Sequence, residues 1–74
     1  MSREEQKMID YMVVCVNEFA ERFSVDYRQA FNYLNRYKSI KFLLESYEIE
    51  HTLSIDDAIE DMDIIPQKNG GNLM

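Results

Sequence analysis

His51 is the only histidine in the chain, and imidazole is the side chain whose ordinary titration range spans neutrality. Glu48 and Glu50 lie close by, and a Glu–His pair can serve as a general base. Base catalysis also needs a positioned nucleophile or a bound electrophile. Here no triad supports one, and the two glycines, Gly70 and Gly71, do not form a phosphate-binding loop. With Thr52 following it, His51 reads more simply as a side chain that caps a helix end or bonds to the backbone. Cys15 lies between Val14 and Val16. A reactive thiolate needs electropositive, partly exposed surroundings, whereas this setting predicts a buried, inert thiol.

Metal chemistry is poorly supplied. One Cys and one His cannot furnish the three or four N/S ligands of a zinc site. The acids Asp56, Asp57, Glu60, Asp61 and Asp63 are dense enough to suggest Ca²⁺. A Ca²⁺ loop, however, alternates its oxygen ligands around a glycine, and this stretch has none and reads as helix. We therefore expect no catalytic residues, no metal, no cofactor and no enzymatic activity. The acids read as a solvated face or as a patch that docks on a basic partner.

The elements that must position these residues follow from helical periodicity. Ser2 with Glu5 is a capping box that opens a helix from about Arg3 to Phe23. Met8, Met12, Cys15, Val16, Phe19, Ala20 and Phe23 recur on one face of it, widened by Ile9 and Val13. Asp26 with Gln29 is a second box, with Val25 and Ala30 placed for a hydrophobic staple, and its helix should run to about Tyr37. Tyr27, Ala30, Phe31 and Leu34 form its inner face. Ser39 is the expected N-cap of a short third helix carrying Ile40, Leu43, Leu44 and Tyr47. Lys38-Ser39 is a weak break, so one bent helix is the other reading. Glu48 to Leu53 is left open. Ser54 with Asp57 opens a last helix with the stripe Ile55, Ala58, Ile59, Met62, which Pro66 is expected to end. The fold class is thus all-α, a compact bundle of three to four short helices. Residues 1–65 form a single domain and 66–74 a flexible tail.

Length and charge narrow the function. A core of 74 residues sits near the lower limit for independent stability, and a single cysteine excludes an intrachain disulfide. A partner is the remaining source of support, either another protein or a second copy in a homodimer. There is no apolar run of the ~20 residues that a membrane span requires, and the N-terminal stretch is amphipathic, unlike a signal peptide. A cytoplasmic location without membrane association is expected. The net charge of −6 argues against nucleic acid as the partner. That charge is unevenly divided. Residues 22–44 carry five bases and one acid, whereas residues 45–63 carry eight acids and no Lys or Arg.

Tyr33 and Tyr37 are four apart on the second helix and off its expected inner stripe. Tyrosines beside cations are common interface anchors; the alternative is that another helix covers them. Two helices meeting at Tyr37-Lys38-Ser39 also suggest a helix-turn-helix. Its basic residues would be Arg28, Arg36, Lys38 and Lys41, in a dimeric DNA-binding regulator. The would-be recognition helix from Ile40 to Tyr47 is mainly apolar, which suits a core helix better than a groove reader.

The segment Leu43-Leu44-Glu45-Ser46-Tyr47-Glu48-Ile49-Glu50-His51-Thr52, of pattern Leu-Leu-x-x-Tyr-x-x-x-His-Thr, resembles a family of short bacterial proteins of unknown function. So do Phe19 to Phe23, Val25-Asp26 and Ala30 to Leu34. The resemblance covers roughly residues 8–65 and marks Tyr47, His51 and Thr52 as motif residues without an assigned role. Glu50 departs from it, since the family commonly has an apolar residue there. The resemblance implies no established activity. It implies an accessory or antitoxin-like role, some members being encoded beside an ADP-ribosyltransferase-like protein. The primary expectation is a non-catalytic protein-interaction module, with Asp57, Glu60, Asp61 and Asp63 as the charged contact and Tyr33 and Tyr37 as anchors. Its partner could be encoded nearby.

Overall fold

A computed structural model of the chain describes residues 2–71, which form helices α1 (Arg3–Arg22), α2 (Tyr27–Arg36), α3 (Ser39–Glu45), α4 (Tyr47–Glu50) and α5 (Ile55–Lys68), with no strand among the described residues. The protein is all-α. It has one helix more than the expected three to four, because the stretch left open contains the single turn α4. Helices α2 and α3 are separate. The last three residues of the expected tail, 72–74, lie outside the described residues.

The helix starts obey local rules. Ser2, Asp26 and Ser54 accept from the backbone N–H groups of Glu5, Gln29 and Asp57 at 3.1, 2.7 and 3.1 Å, satisfying donors that the first turn leaves orphaned. The helix ends depend on left-handed residues instead. After α1, Ser24 takes φ 56°, with Val25 N–H donating to the Ala20 carbonyl at 3.0 Å and Ser24 N–H to Glu21 at 3.3 Å. That pair of bonds is a Schellman motif without its usual glycine. After α2, Lys38 takes φ 71°, which breaks the chain into two helices. Only after α5 does a glycine do this work, at Gly70 with φ 83°.

Two expectations at the junction of α3 and α5 fail for one shared reason. Ser39 is not the N-cap of α3; it is the first helical residue, after Lys38, and no side chain caps that end. Pro66 does not end α5 but lies inside it. Proline has no N–H to give the carbonyl four residues back, which here belongs to Met62. The Ser39 hydroxyl donates to that carbonyl at 2.8 Å, fully buried. Ser39 is therefore occupied with the bond that Pro66 cannot make, and α5 continues to Lys68.

Helix α1, roughly 30 Å long at 1.5 Å per residue, sets the long axis of a body measuring 36 × 22 × 22 Å. Helix α3 is central, packing on α1, α2, α4 and α5. The core comprises Cys15, Val16, Phe19 and Ala20 of α1, Ala30 and Leu34 of α2, Ile40 and Leu43 of α3, and Ala58, Ile59 and Met62 of α5. Each large side chain buried there contributes about 1.5–3 kcal/mol relative to exposure. Tyr27 departs from expectation: it is exposed, stacked beside Phe31 at 6.3 Å. Val13 and Val14 are exposed as well.

Candidate functional site

The Tyr47-x-x-x-His51-Thr52 motif spans one helical turn. Four-residue spacing places the rings on one side of it, and they stack at 4.5 Å and 13°. The Nδ1 of His51 lies 2.6 Å from the Tyr47 carbonyl. A carbonyl only accepts, so Nδ1–H donates this bond. The Thr52 hydroxyl donates to the Ile49 carbonyl at 2.7 Å. Together they satisfy the carbonyls that end α4. His51 is exposed, and its observed bonds are those of a helix cap.

Beneath α4 lies a group that sequence reasoning marked as a neighbour of His51 and as a departure from the family pattern. Glu50 is only 3% exposed, and its Oε1 has no hydrogen-bond partner among the described residues. From α1, Tyr11 donates its hydroxyl to the Glu50 backbone carbonyl at 2.9 Å, with its ring edge-on to Tyr47 at 5.6 Å. From α5, Asp61 faces Glu50. Burial, and after it the facing Asp61 carboxyl, push the Glu50 carboxyl from 4.5 up to about 7. Burial is also the main reason that the Tyr11 hydroxyl and the Cys15 thiol are raised above their ordinary values. Cys15 is wholly buried, as its apolar neighbours predicted. The signal for Glu50 was its spacing: Tyr47 and Glu50 stand three apart, on the side of the turn that faces Tyr11.

The acids of α5 form a band opposite its apolar stripe. Asp57 and Glu60 are exposed and not ion-paired among the described residues; Asp61 and Asp63, at the edges, are half-buried. Asp61 turns to Glu50, while Asp63 accepts from the Gln67 amide at 2.9 Å and lies near Tyr33. Asp56, by contrast, is ion-paired with Arg22 at the end of α1. Ile64 is 45% exposed, and helical spacing sets it on the same outer face, about one turn beyond Glu60 and two beyond Asp57. The predicted acids thus share a helix, but only Asp57 and Glu60 stand free.

Tyr33 and Tyr37 are half-buried. Tyr33 packs on Phe19 at 6.2 Å and on Tyr37 at 5.4 Å, and burial, then the Asp63 carboxylate, raises its hydroxyl above the ordinary value. A Cβ added at Gly71 would come within 2.9 Å of the Tyr37 ring, so the chain after α5 lies against that tyrosine. The guanidinium of Arg36 sits 5.5 Å from the Tyr37 ring. Arg28, Arg36, Lys38 and Lys41 are all exposed, while Ser39, Ile40 and Leu43 of α3 are buried.

A groove of about 540 Å³ opens between the start of α1 and the α3–α4 corner. Half-buried Met8, Leu44 and Tyr47 line it, together with Ile49, which is 69% exposed. Glu4, Lys7, Glu45, Ser46, Glu48 and His51 complete the wall. No group of three or more His, Cys, Asp or Glu side chains among the described residues is placed to hold a metal ion. Nor is any described helix long and apolar enough to cross a membrane.

Fold and surface together define a small helical domain whose distinctive features are a free acidic helix face and an acid-rimmed apolar groove. The chain belongs to the family described as protein of unknown function (DUF3791), whose model matches residues 10–69. No curated protein and no solved structure matches it. The family match takes in α2 to α4, most of α1, and α5.

Proposed function

We propose that this protein is a non-catalytic protein-interaction module, an adaptor or antitoxin-like accessory protein that docks on a basic surface of its partner. The observation that carries this reading is the outer face of α5, where Asp57 and Glu60 stand exposed and not ion-paired among the described residues, on the same face as the exposed Ile64. Solvent-facing acids beside an apolar residue offer both an encounter-steering field and a contact to bury. Asp61 and Asp63 add to the field from the edges of the band. Tyr33 and Tyr37 give a partner less area than fully exposed rings, since each is half-buried. A helix-turn-helix regulator is less well supported, because α3, the would-be reading helix, turns its apolar residues into the core.

The test is capture of partners from a lysate of the protein's own cells, at low and moderate salt. The wild-type chain is compared with the Asp57→Asn/Glu60→Gln variant. We expect a stoichiometric protein partner that is lost as salt rises and is poorly retained by the variant. Equal retention by both proteins at every salt concentration would sink the acidic-face reading.

A further inference from the structure

The acidic face of α5 leaves unused the groove between α1 and the α3–α4 corner. We propose that this groove is a second docking site, which takes a basic, amphipathic segment of a partner protein and seats its apolar side chains on Met8, Leu44, Tyr47 and Ile49. The inference rests on the interaction-module reading but concerns a different surface.

Charge complementarity selects the occupant. The rim carries Glu4, Glu45 and Glu48 against the single cation Lys7. Lys41, 3.8 Å from Glu45, is a long and exposed partner of little energetic weight. An acceptor-rich rim around an apolar floor suits apolar side chains flanked by Lys or Arg, the pattern of a basic amphipathic helix laid in a groove. The wall is preorganised. The Tyr11 hydroxyl bond to the Glu50 carbonyl and the edge-on packing of Tyr11 on Tyr47 tie α4 to α1 before anything binds, which lowers the ordering cost of association.

A second copy of this chain fits less well. Twofold pairing through the groove would set the two glutamate rims against each other. Pairing of the groove with the basic α2–α3 corner would be head-to-tail, which builds a ring or an open chain and not a closed dimer.

The test titrates the isotopically labelled full chain with two synthetic helical peptides of identical leucine pattern, one with lysine and one with glutamate at every polar position, followed residue by residue by NMR. The lysine peptide should bind saturably and shift Met8, Leu44, Tyr47, Ile49 and His51, while the glutamate peptide should not. Glu4→Gln/Glu45→Gln/Glu48→Gln should weaken binding by about tenfold, exposed charge pairs each being worth a few-fold at most. Ile49→Ser should weaken it at every salt concentration.

Three outcomes would overturn the proposal: no saturable binding, equal binding of both peptides, or shifts confined to Asp57, Glu60 and Ile64. The last would leave the acidic-face reading standing. Loss of α5 acid dependence with the groove shifts intact would do the reverse. Concentration-dependent shifts at the groove without any peptide would assign it to a second copy and overturn the choice of occupant.

Discussion

Ser39 and Glu50 are the two polar side chains buried among the described core-facing residues, and their surroundings treat them in opposite ways. The Ser39 hydroxyl has a partner, since it donates to the Met62 carbonyl that Pro66 leaves without an N–H. Glu50 has an oxygen with no partner and a second carboxylate, Asp61, opposite it. A buried polar group contributes to stability when it is hydrogen-bonded and costs free energy when it is left without a partner. The α3–α5 junction should therefore be a fixed part of the fold, and the α4–α5 contact a conditional one.

The largest effect is expected at the junction. Ser39→Ala should cost about 1–3 kcal/mol, because it leaves the buried Met62 carbonyl unpaired. In a Pro66→Ala background, residue 66 supplies its own N–H to Met62, and most of that cost should disappear. Urea unfolding of the four proteins of this cycle measures the coupling. Equal cost in both backgrounds would mean that Ser39 and Pro66 are independent.

At Glu50 the expectation concerns pH. The carboxyl titrates at 4.5 in the unfolded chain and at about 7 in the folded one. Between those values the folded protein holds a proton that the unfolded chain has released. Stability from this group is therefore complete below about 4.5, falls as pH rises through 7, and is level above. The groups facing it are Tyr11 and Cys15 from α1 and Asp61 from α5, none of them a cation. Glu50→Gln keeps the shape of the protonated form. The stability of the variant relative to wild type should rise by about 1–3 kcal/mol between pH 5 and pH 8, at 1.36 kcal/mol per pKa unit. A difference that is constant with pH would remove Glu50 as the titrating group.

The contrast between these regions also explains what could be read in advance. The caps at Ser2, Asp26 and Ser54 were legible because a cap is decided within four residues, and the core stripes of α1 and α5 because periodicity is local too. Ser39 and Pro66 were each misread because the bond that reconciles them spans 23 residues. The ends of α1 and α2 were legible too, expected at Phe23 and Tyr37, their observed C-caps; only the break between α2 and α3 stayed open, because Lys38 adopts a left-handed conformation that glycine would have advertised, at a cost of roughly 1–2 kcal/mol. The acidic run from Asp56 to Asp63 read as one patch. Tertiary packing divides it into free acids, an ion-paired Asp56 and edge residues turned toward Glu50 and Tyr33. His51 drew attention as a candidate base, whereas the residue before it holds the perturbed carboxyl.

The smallest effect is expected where the chemistry of Ser39 is repeated in water. Thr52 donates its hydroxyl to the Ile49 carbonyl at 2.7 Å, essentially the length of the bond from Ser39 to Met62, but the site is exposed. Solvent can meet either group once the bond is lost, so Thr52→Ala should cost no more than about 0.5 kcal/mol, as surface changes usually do. The two hydroxyl deletions remove bonds of nearly equal geometry and differ mainly in burial. If Thr52→Ala proved as costly as Ser39→Ala in the same urea titration, the end of α4 would be as fixed as the α3–α5 junction. The conditional character assigned to α4 would then have to reside in the Glu50 carboxyl alone, not in the helical turn that carries it.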